Sequence, residues 1–270
     1  MLSLDIADIP EGKKIYFASD FHLGTPDYKS SRKREDKIVR WLDSVRHDAH
    51  AIFLLGDIFD FWFEYKTVIP KGFVRFQGKL AELSDAGIPI HIFIGNHDMW
   101  LFDYFPTEFG IPVHRENVSF TVNGTKFMTG HGDGLGPGDR KYKMLKRIFA
   151  NKLCQWAFAR LHPNLGIGIA GAWSKDSRAS NAGHDEVFHG KDEWIYQFCQ
   201  EEEIKEHHDF YIFGHRHLPM DIPVGKNARY INLGEWLKHC RYIAFDGKAL
   251  KFEAFEPEGD FKIATLNETT

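Results

Sequence analysis

The 270-residue sequence predicts an α/β fold in which two β-sheets pack against one another and helices flank them. In the first half, apolar strand-like runs alternate with helical patterns, which is typical of βαβ units and a parallel sheet. In the second half, short runs rich in β-branched and aromatic residues predict a second sheet packed on the first. A chain of this length can bury one large core or two small ones, and residues 1–270 are interpreted as a single domain.

The individual elements are placed by their apolar patterns and by the turn residues between them. In the first half, strands are predicted over residues 14–18, 51–55 and 89–94, and helices over 31–45 and 73–86. After Pro112, a hairpin over 118–129 turns at Asn123-Gly124, and strands are predicted over 209–213, 229–233, 242–245 and 250–255. The polar tail from Glu256 is expected to fray.

Composition and charge exclude several classes of protein. Apolar residues make up 43% and charged residues 27% of the chain, as in an ordinary soluble globular protein. The net charge of -4 gives no general reason to expect nucleic acid as a partner. The three cysteines form no CxxC pair, so neither a disulfide framework nor a thiolate zinc site is predicted. The N-terminus lacks the pattern of a signal peptide and no run of 18 apolar residues occurs, so the expected location is the cytoplasm.

Residues 137–181 differ in composition from the rest of the chain. This segment holds nine lysines and arginines against two acidic residues, a local net charge of +7 that leaves -11 for the remainder. Apolar residues recur through it at helical spacing: Leu145, Ile148, Phe149, Leu153, Trp156 and Ala157. The pattern predicts a basic amphipathic helix that faces a membrane or an anionic ligand, followed by a second helix over 165–173. The alternative is a solvated basic helix whose apolar face packs on the main domain.

Five short polar blocks follow apolar runs and give the strongest indication of chemistry. They are Asp20-Phe-His22, Gly56-Asp57-Ile-Phe-Asp60, Gly95-Asn96-His97-Asp98, Gly130-His131-Gly132-Asp133 and Gly214-His215-Arg216-His217. Open α/β sheets place their functional residues at the carboxyl ends of their strands. These side chains are therefore expected to gather at one edge of a sheet.

The spacing within the first and last blocks suits metal binding. On an extended strand end, residues i and i+2 point the same way. Asp20 and His22 can therefore reach one ion together, and His215 and His217 repeat this geometry. Asp57 follows a strand and can bridge two ions with its two oxygens.

Asn96 adds an amide oxygen and His131 adds another imidazole. Seven ligands with one shared give four contacts for each of two ions. Carboxylate, amide and imidazole ligands without thiolate favour Mn, Fe or Zn over Ca. Two such ions about 3.5–4 Å apart suit phosphoester hydrolysis, because a water between them becomes acidic enough to attack phosphorus.

In their order and spacing, the five blocks resemble the calcineurin-like metallophosphoesterase family, whose pattern is D-x-H, G-D-x-x-D, G-N-H-[DE], G-H and G-H-x-H. The resemblance covers roughly residues 14–245 and implies a four-layer α/β fold, a sandwich of two mixed sheets flanked by helices. It implies one ion held by Asp20, His22, Asp57 and His217, and another held by Asp57, Asn96, His131 and His215. It also implies that His97 protonates the leaving oxygen or steadies the phosphate, and that Asp98 orients the His97 imidazole.

Within the family, four features resemble the branch that acts on UDP-2,3-diacylglucosamine, a lipid-linked nucleotide of lipid A synthesis. They are Asp20-Phe-His22-Leu23-Gly24, Gly56-Asp57-Ile-Phe-Asp60-Phe-Trp62, His131-Gly-Asp133-Gly with Asp139 and Tyr142 following, and the basic insertion ending Ala172-Trp-Ser-Lys-Asp-Ser-Arg178. The resemblance implies that residues 137–181 are a helical lid that accepts acyl chains. It implies substrate contacts from Asn96, His97, Asp139, Lys175, Arg178, Asn181 and His215. One position departs from the branch, whose best-known members carry Asn-Arg-Asp where this chain has Asn96-His97-Asp98.

The resulting hypothesis is a hydrolase that cleaves the pyrophosphate bond of UDP-2,3-diacylglucosamine to UMP and 2,3-diacylglucosamine 1-phosphate. It would use two divalent ions, with Mn²⁺ favoured and Fe or Zn as alternatives. It would bind weakly to the cytoplasmic face of the inner membrane, with no nucleic acid and no obligate protein partner. A second hypothesis is a soluble metallophosphodiesterase for nucleotides or dinucleoside polyphosphates, which would not need an apolar insertion. A non-enzymatic scaffold is disfavoured because all seven ligand residues are present.

Overall fold

Two six-stranded mixed β-sheets pack face to face in the computed structural model, and helices cover both outer faces. The structure describes residues 2–138, 140–181 and 187–266, without the side chains of Lys141, Ala172, Trp173 and residues 175–181. The four-layer α/β architecture and the helical insertion confirm the predicted fold class.

The first sheet contains the three buried strands predicted in the first half of the chain. In spatial order its strands are β12 (Leu250–Ala254), β11 (Arg241–Phe245), β2 (Lys14–Ala18), β3 (Ala49–Leu54), β4 (Ile90–Phe93) and β5 (Val113–His114). Strands β2 to β5 run parallel, and β11 and β12 extend the sheet antiparallel beyond β2. The prediction that β11 and β12 belong to the second sheet is wrong. Ile243 and Phe245 of β11 face one core and Ala244 faces another, so this strand is buried on both sides beside β2.

Five of the six strands of the second sheet come from residues 118–233. In spatial order its strands are β1 (Leu2–Ser3), β6 (Val118–Val122), β7 (Thr125–Thr129), β8 (Phe210–Phe213), β10 (Ala228–Leu233) and β9 (Pro219–Val224). The predicted hairpin is confirmed as β6 and β7, and both turn residues, Asn123 and Gly124, have left-handed φ values of 49° and 76°. The sequence analysis did not predict β9, because two prolines argue against a strand in the interior of a sheet. The strand lies at the edge of the sheet, where prolines are tolerated.

The helices form two outer layers and one insertion. Helices α1 (Tyr28–Val45), α2 (Val74–Asp85) and α3 (Tyr104–Phe109) cover the first sheet, and α7 (Trp194–Lys205) covers the second. The insertion contains α4 (Arg140–Ala150), α5 (Lys152–Phe158) and α6 (Pro163–Asn181). The prediction of a single basic helix there is wrong, because one helix ends at Ala150 and the next begins at Lys152. Asn151, between them, caps α5: its side chain accepts hydrogen bonds from Leu153 N and Cys154 N. No helix in the described part of the chain is long and apolar enough to cross a bilayer.

Alternation along β2 shows how the layers are held together. Ile15 and Phe17 point into the core between the two sheets, whereas Tyr16 and Ala18 point into the core beneath the helices. Each large apolar side chain buried in this way contributes roughly 1.5–3 kcal/mol relative to exposure. The two buried faces make the sheet a rigid base for the loops at the carboxyl ends of its strands.

Candidate metal centre

The loops that carry the predicted ligands leave adjacent strands at one edge of the sandwich. Asp20 follows β2, Asp57 follows β3 and Asn96 follows β4, and these three strands are parallel neighbours. His131 follows β7 and His215 follows β8, which are parallel neighbours in the second sheet. The topology therefore places all five polar blocks together, as the sequence predicted.

One cluster of donor atoms contains Asp20, His22, Asp57 and His217. Each residue offers one ligand atom, and these atoms lie within 4.8 Å of one another. The His217 Nε2 atom lies 2.9 Å from His22 Nε2 and 3.3 Å from Asp20 Oδ1. The structure thus brings together the four residues that the family resemblance implies for one ion.

A second cluster forms around the Asn96 amide oxygen. Asn96 Oδ1 lies 3.1 Å from His131 Nε2 and 2.9 Å from His215 Nδ1. Asp57 Oδ2 lies 3.4 Å from His131 Nε2 and 3.7 Å from His22 Nε2, so one oxygen faces both clusters. The other oxygen, Oδ1, accepts a hydrogen bond of 2.9 Å from the His97 backbone N–H. The expectation that Asp57 bridges two ions with its two oxygens stays a prediction.

The donor atoms fit a pair of divalent cations. Asp20 Oδ1 is buried and has no hydrogen-bond donor among the described residues, an arrangement that is costly unless a cation lies beside it. His131 Nδ1 lies 2.8 Å from Leu55 O, and because a carbonyl oxygen only accepts, Nδ1 carries the hydrogen. This contact directs His131 Nε2 toward Asn96 and Asp57, as hydrogen bonds to metal-binding histidines generally do.

The electrostatics of the site also favour positive charge at this place. Burial lowers the pKa of His131, but the charge and hydrogen bond of Asp57, together with the charges of Asp20 and Asp133, outweigh burial and raise this pKa to about 10. Burial raises the pKa of Asp20, yet His217 and His22 more than offset it and hold this pKa below its usual range. Burial lowers the pKa of His215 to about 4, which leaves a neutral imidazole of the kind that binds metals.

Five of the predicted ligands have a left-handed backbone. The φ angles are 56° at Asp20, 44° at His22, 50° at Asp57, 71° at His215 and 48° at His217. Such conformations cost about 1–3 kcal/mol each in a residue with a side chain and persist only where the surroundings enforce them. The expectation that these residues end an extended strand is therefore wrong, because left-handed turns bring their side chains together.

Gly95 is required by the close approach of Asp57. A Cβ atom at position 95 would lie 2.1 Å from Asp57 Oδ1, whereas a Cβ atom at Gly78 in α2 would meet nothing within 4 Å. We expect Gly95→Ala to weaken Mn²⁺ binding by about 10–100-fold, because Asp57 must move. Isothermal titration with Mn²⁺ measures this change. Gly78→Ala is the control and should leave Mn²⁺ affinity unchanged while stabilising α2 by up to about 1 kcal/mol; equal affinities in the two variants would contradict the prediction.

His97 borders the first cluster and is held by groups other than Asp98. Its ring centroid lies 5.0 Å from that of His22. His97 Nδ1 lies 3.0 Å from Asp60 O and 3.1 Å from Ser174 Oγ of α6. His22, Asp60 and His97 also form a second group of close ligand atoms, but the Asp60 carbonyl requires the hydrogen on His97 Nδ1.

Asp98 does not have the role that the resemblance implied. Its carboxylate accepts backbone N–H groups of Gly95 at 2.7 Å, Ile58 at 2.8 Å and Phe59 at 3.3 Å. Because these contacts occupy both oxygens, Asp98 ties the second polar block to the third instead of orienting His97. The predicted catalytic role of Asp98 is therefore corrected to one of backbone positioning.

The predicted substrate contacts are described only in part. Asn96, His97 and His215 lie together in the site, whereas Asp139 is outside the described residues. Lys175, Arg178 and Asn181 belong to α6, but their side chains lie outside the described part of the structure. Sequence reasoning missed Ser174, which donates to Asp60 Oδ2 at 3.2 Å, because nothing local signals a partner 114 residues away.

The insertion docks onto the site through α4 and α5. The buried Asp133 carboxylate accepts the Tyr142 hydroxyl and pairs with Lys146 Nζ at 2.6 Å, so α4 is tied to the loop that carries His131. Trp100 Nε1 donates to Phe149 O at 3.0 Å, and the Trp100 ring packs on the ring of Phe158 of α5 with a centroid distance of 4.9 Å. The insertion therefore packs against the loop that carries His131 and against Trp100.

A two-sheet sandwich with two donor clusters that share one carboxylate defines the class of dinuclear metal phosphoesterases. The family model for calcineurin-like phosphoesterases matches residues 13–219. The chain belongs to this family of hydrolases, which confirms the family expected from its five polar blocks.

The curated relatives point to one branch of the family. The chain is 40% identical over 256 residues to a UDP-2,3-diacylglucosamine hydrolase of Porphyromonas gingivalis, covering 90% of this chain and 98% of the relative. It is 27% identical over 239 residues to the protein of the same name from Edwardsiella ictaluri, covering 87% of this chain and 89% of the relative. Among solved structures, a dimetal phosphatase from Danio rerio aligns with a TM-score of 0.45 at 12% identity, covering 92% of this chain and 100% of that chain.

Proposed function

We propose that this chain hydrolyses the pyrophosphate bond of UDP-2,3-diacylglucosamine to UMP and 2,3-diacylglucosamine 1-phosphate. The observation that carries the proposal is the position of the insertion, whose Ser174 contacts His97 and Asp60 at the edge of the donor clusters. The basic and apolar insertion thus lies next to the predicted metal ligands, and a substrate that carries both a diphosphate and acyl chains requires this combination. The names of the two relatives support the same substrate.

Two divalent ions complete the proposed centre, with Mn²⁺ favoured and Fe or Zn as alternatives. Asp20, His22, Asp57 and His217 would hold one ion, and Asp57, Asn96, His131 and His215 the other. When bound, the ions supply an activated water and offset negative charge on the diphosphate. Asp57 keeps the two clusters adjacent through the single oxygen that faces both.

His97 is proposed to act on the leaving phosphate. Because Nδ1 is held by the Asp60 carbonyl, Nε2 is the nitrogen that can deliver a proton or hydrogen-bond the diphosphate. Lys175, Arg178 and Asn181 are proposed substrate contacts, because they lie one, four and seven positions after Ser174 on α6. Asp139, Asn96 and His215 complete the proposed set.

The outer surface of the insertion suits an anionic membrane. Six of the thirteen large apolar side chains that are exposed in the described chain lie there: Met144, Ile148, Leu153, Trp156, Leu165 and Ile169. Exposed Arg147 lies between Met144 and Ile148 on α4, and the Arg160 guanidinium lies 5.0 Å from the Trp156 ring centroid. Apolar groups interleaved with cations are typical of surfaces that rest on anionic lipid. We propose a weak peripheral association with the cytoplasmic face of the inner membrane.

Removing apolar groups from α5 tests this membrane association. Leu153→Ser together with Trp156→Ser is expected to weaken binding to anionic vesicles by about tenfold or more, because two side chains lose apolar burial in lipid. Vesicle flotation measures the bound fraction. Ile204→Ser, which changes an apolar residue of α7 that is 86% exposed, is the matched control and should float as wild type does. Wild-type protein that never leaves the soluble fraction would contradict the proposal.

The substrate is tested directly with purified protein and Mn²⁺. Incubation with UDP-2,3-diacylglucosamine should give UMP and the diacylglucosamine 1-phosphate, identified by mass. In isotopically labelled water the label should appear in UMP, because the proposed attack is on the α-phosphorus. Faster turnover of soluble nucleotides or dinucleoside polyphosphates would favour the second candidate, a soluble metallophosphodiesterase, for which the departure to His97 is the supporting observation.

A further inference from the structure

The inward face of α1 contains polar groups where an amphipathic helix normally has apolar ones. Ser31, Arg34 and Glu35 are all buried, at spacings of three and four residues, and they precede the apolar Ile38 and Trp41 on the same helix. A buried guanidinium loses its hydration and persists only where hydrogen bonds replace it. The hydrogen-bond partners of Arg34 therefore indicate why this helix face is polar.

Arg34 binds the backbone of the loop that carries Asp20 and His22. Its Nε donates to Phe21 O at 2.7 Å, and its NH2 group donates to His22 O at 2.6 Å and to Thr25 O. Ser31 Oγ, one turn earlier, accepts from Gly24 N at 2.7 Å. Side chains of α1 thus satisfy both carbonyl and amide groups of one short loop.

The backbone of this loop is left-handed at both of its predicted metal ligands. Asp20 and His22 have φ angles of 56° and 44°. Arg34 binds the carbonyl of His22 itself and the carbonyl of Phe21, the residue that separates the two. Left-handed residues relax when the contacts that enforce them are lost. Relaxation at either residue would move a carboxylate or an imidazole out of the first cluster.

We propose that Arg34 is a positioning residue that holds Asp20 and His22 in ligand geometry and thereby sets the affinity of the first ion. The inference rests on the two-metal site of the proposed function. Groups that orient metal ligands typically change metal affinity by about 10–100-fold when they are removed. The hydrogen bonds from Arg34 to this loop all end on backbone carbonyls, so its effect on the ligand side chains is transmitted by the loop.

Charge and geometry make opposite predictions for a neutral replacement. The guanidinium is positive and repels a nearby cation, so loss of its charge alone would tighten Mn²⁺ binding. Loss of its hydrogen bonds to the loop would weaken Mn²⁺ binding. The sign of the change in Arg34→Gln therefore separates the two effects.

Binding of Mn²⁺ to the full-length protein tests the proposal without relying on activity. Free Mn²⁺ is followed by electron paramagnetic resonance during titration, and apo-protein melting is followed by circular dichroism. Wild type should bind two ions. Arg34→Gln should bind one of them about 10–100-fold more weakly and leave the other unchanged. The Mn²⁺ affinity of Arg34→Lys should lie between those of wild type and Arg34→Gln, because an ammonium group cannot reproduce the forked guanidinium that spans several carbonyls.

Arg241→Gln is the matched control, since Arg241 is partly buried and, like Arg34, donates to a backbone carbonyl, that of Phe261, away from the ligand loops. It should bind both ions as wild type does. An Arg34→Gln protein that melts earlier but binds Mn²⁺ with wild-type affinity would overturn the inference and leave Arg34 a purely structural residue. If Arg34→Gln does not fold, wild-type affinity in Arg34→Lys would overturn it. Wild type that binds no Mn²⁺ would overturn the proposed metal site itself.

Discussion

Replacing Asp57 with Ala is expected to reduce hydrolysis by at least about 10³-fold, more than the loss of one stabilising hydrogen-bond donor, which typically costs about 10²–10³. Asp57 Oδ2 faces His22 and His131, so its loss removes one ligand from each cluster. Asp57 Oδ1 accepts the backbone N–H of His97, so the same substitution also releases the loop that carries the proposed acid. No other described side chain touches both clusters and the His97 backbone.

Asp57→Asn separates these two consequences. An asparagine can still accept the His97 N–H through Oδ1, but it puts an amide N–H₂ where Oδ2 faced both clusters. The loop should remain in place while Mn²⁺ binding falls for both ions, measured by titration and by metal content after gel filtration. Asp43→Asn, a surface residue paired with Lys79, is the control and should retain both activity and metal. Retained turnover in Asp57→Ala would disprove the shared-ligand assignment.

The parts of the fold that the sequence predicted are those with a local cause. Strands β2, β3 and β4 are buried on both faces, so each reads as a mainly apolar run that a polar block follows. The placement of β11 had no such signal, because its pairing with β2 joins residues more than 220 positions apart. Helix α3 is too short to show a periodic pattern, and the prolines of β9 hide an edge strand.

In the candidate site too, the residues with a local sequence signal could be predicted and those with distant partners could not. The seven predicted ligand residues, which the structure brings together in two clusters, could be selected from the sequence because acid, amide and imidazole recur at fixed short spacings within each block. The residues that hold them were not found, because their partners are distant: Arg34 with His22, Ser174 with His97, and Glu193 with Arg216 at 2.8 Å. The error at Asp98 has the same origin, since its neighbour in sequence is His97 but its hydrogen bonds go to backbone 39 and 40 residues away as well as to Gly95.

Replacing His97 with Ala is expected to lower kcat by roughly 10²–10⁴ while leaving Mn²⁺ binding nearly unchanged. The imidazole lies beside the first cluster, but it is not among the four residues whose ligand atoms lie within 4.8 Å of one another there, so it is not expected to hold an ion. Steady-state rates and Mn²⁺ titration on the same protein preparation measure the two effects. A variant that loses metal along with activity would show that His97 is a ligand and would contradict the proposed role.

The identity of the replacement distinguishes the two roles proposed for His97. Arginine supplies positive charge and hydrogen-bond donors to a phosphate but does not release a proton, because its pKa lies above about 12. If His97 steadies the diphosphate, His97→Arg should keep most of the activity that His97→Ala loses, because a guanidinium binds phosphate oxygens well. If His97 protonates the leaving oxygen, His97→Arg should be as slow as His97→Ala, and an aryl phosphodiester whose leaving group needs no proton should be hydrolysed at nearly the wild-type rate by both. Because the Asp60 carbonyl accepts from Nδ1, Nε2 is the nitrogen left for the diphosphate. In the imidazolium form, Nε2 can pass its proton to the leaving oxygen while Nδ1 keeps its own, which leaves a neutral ring, and we expect the second outcome.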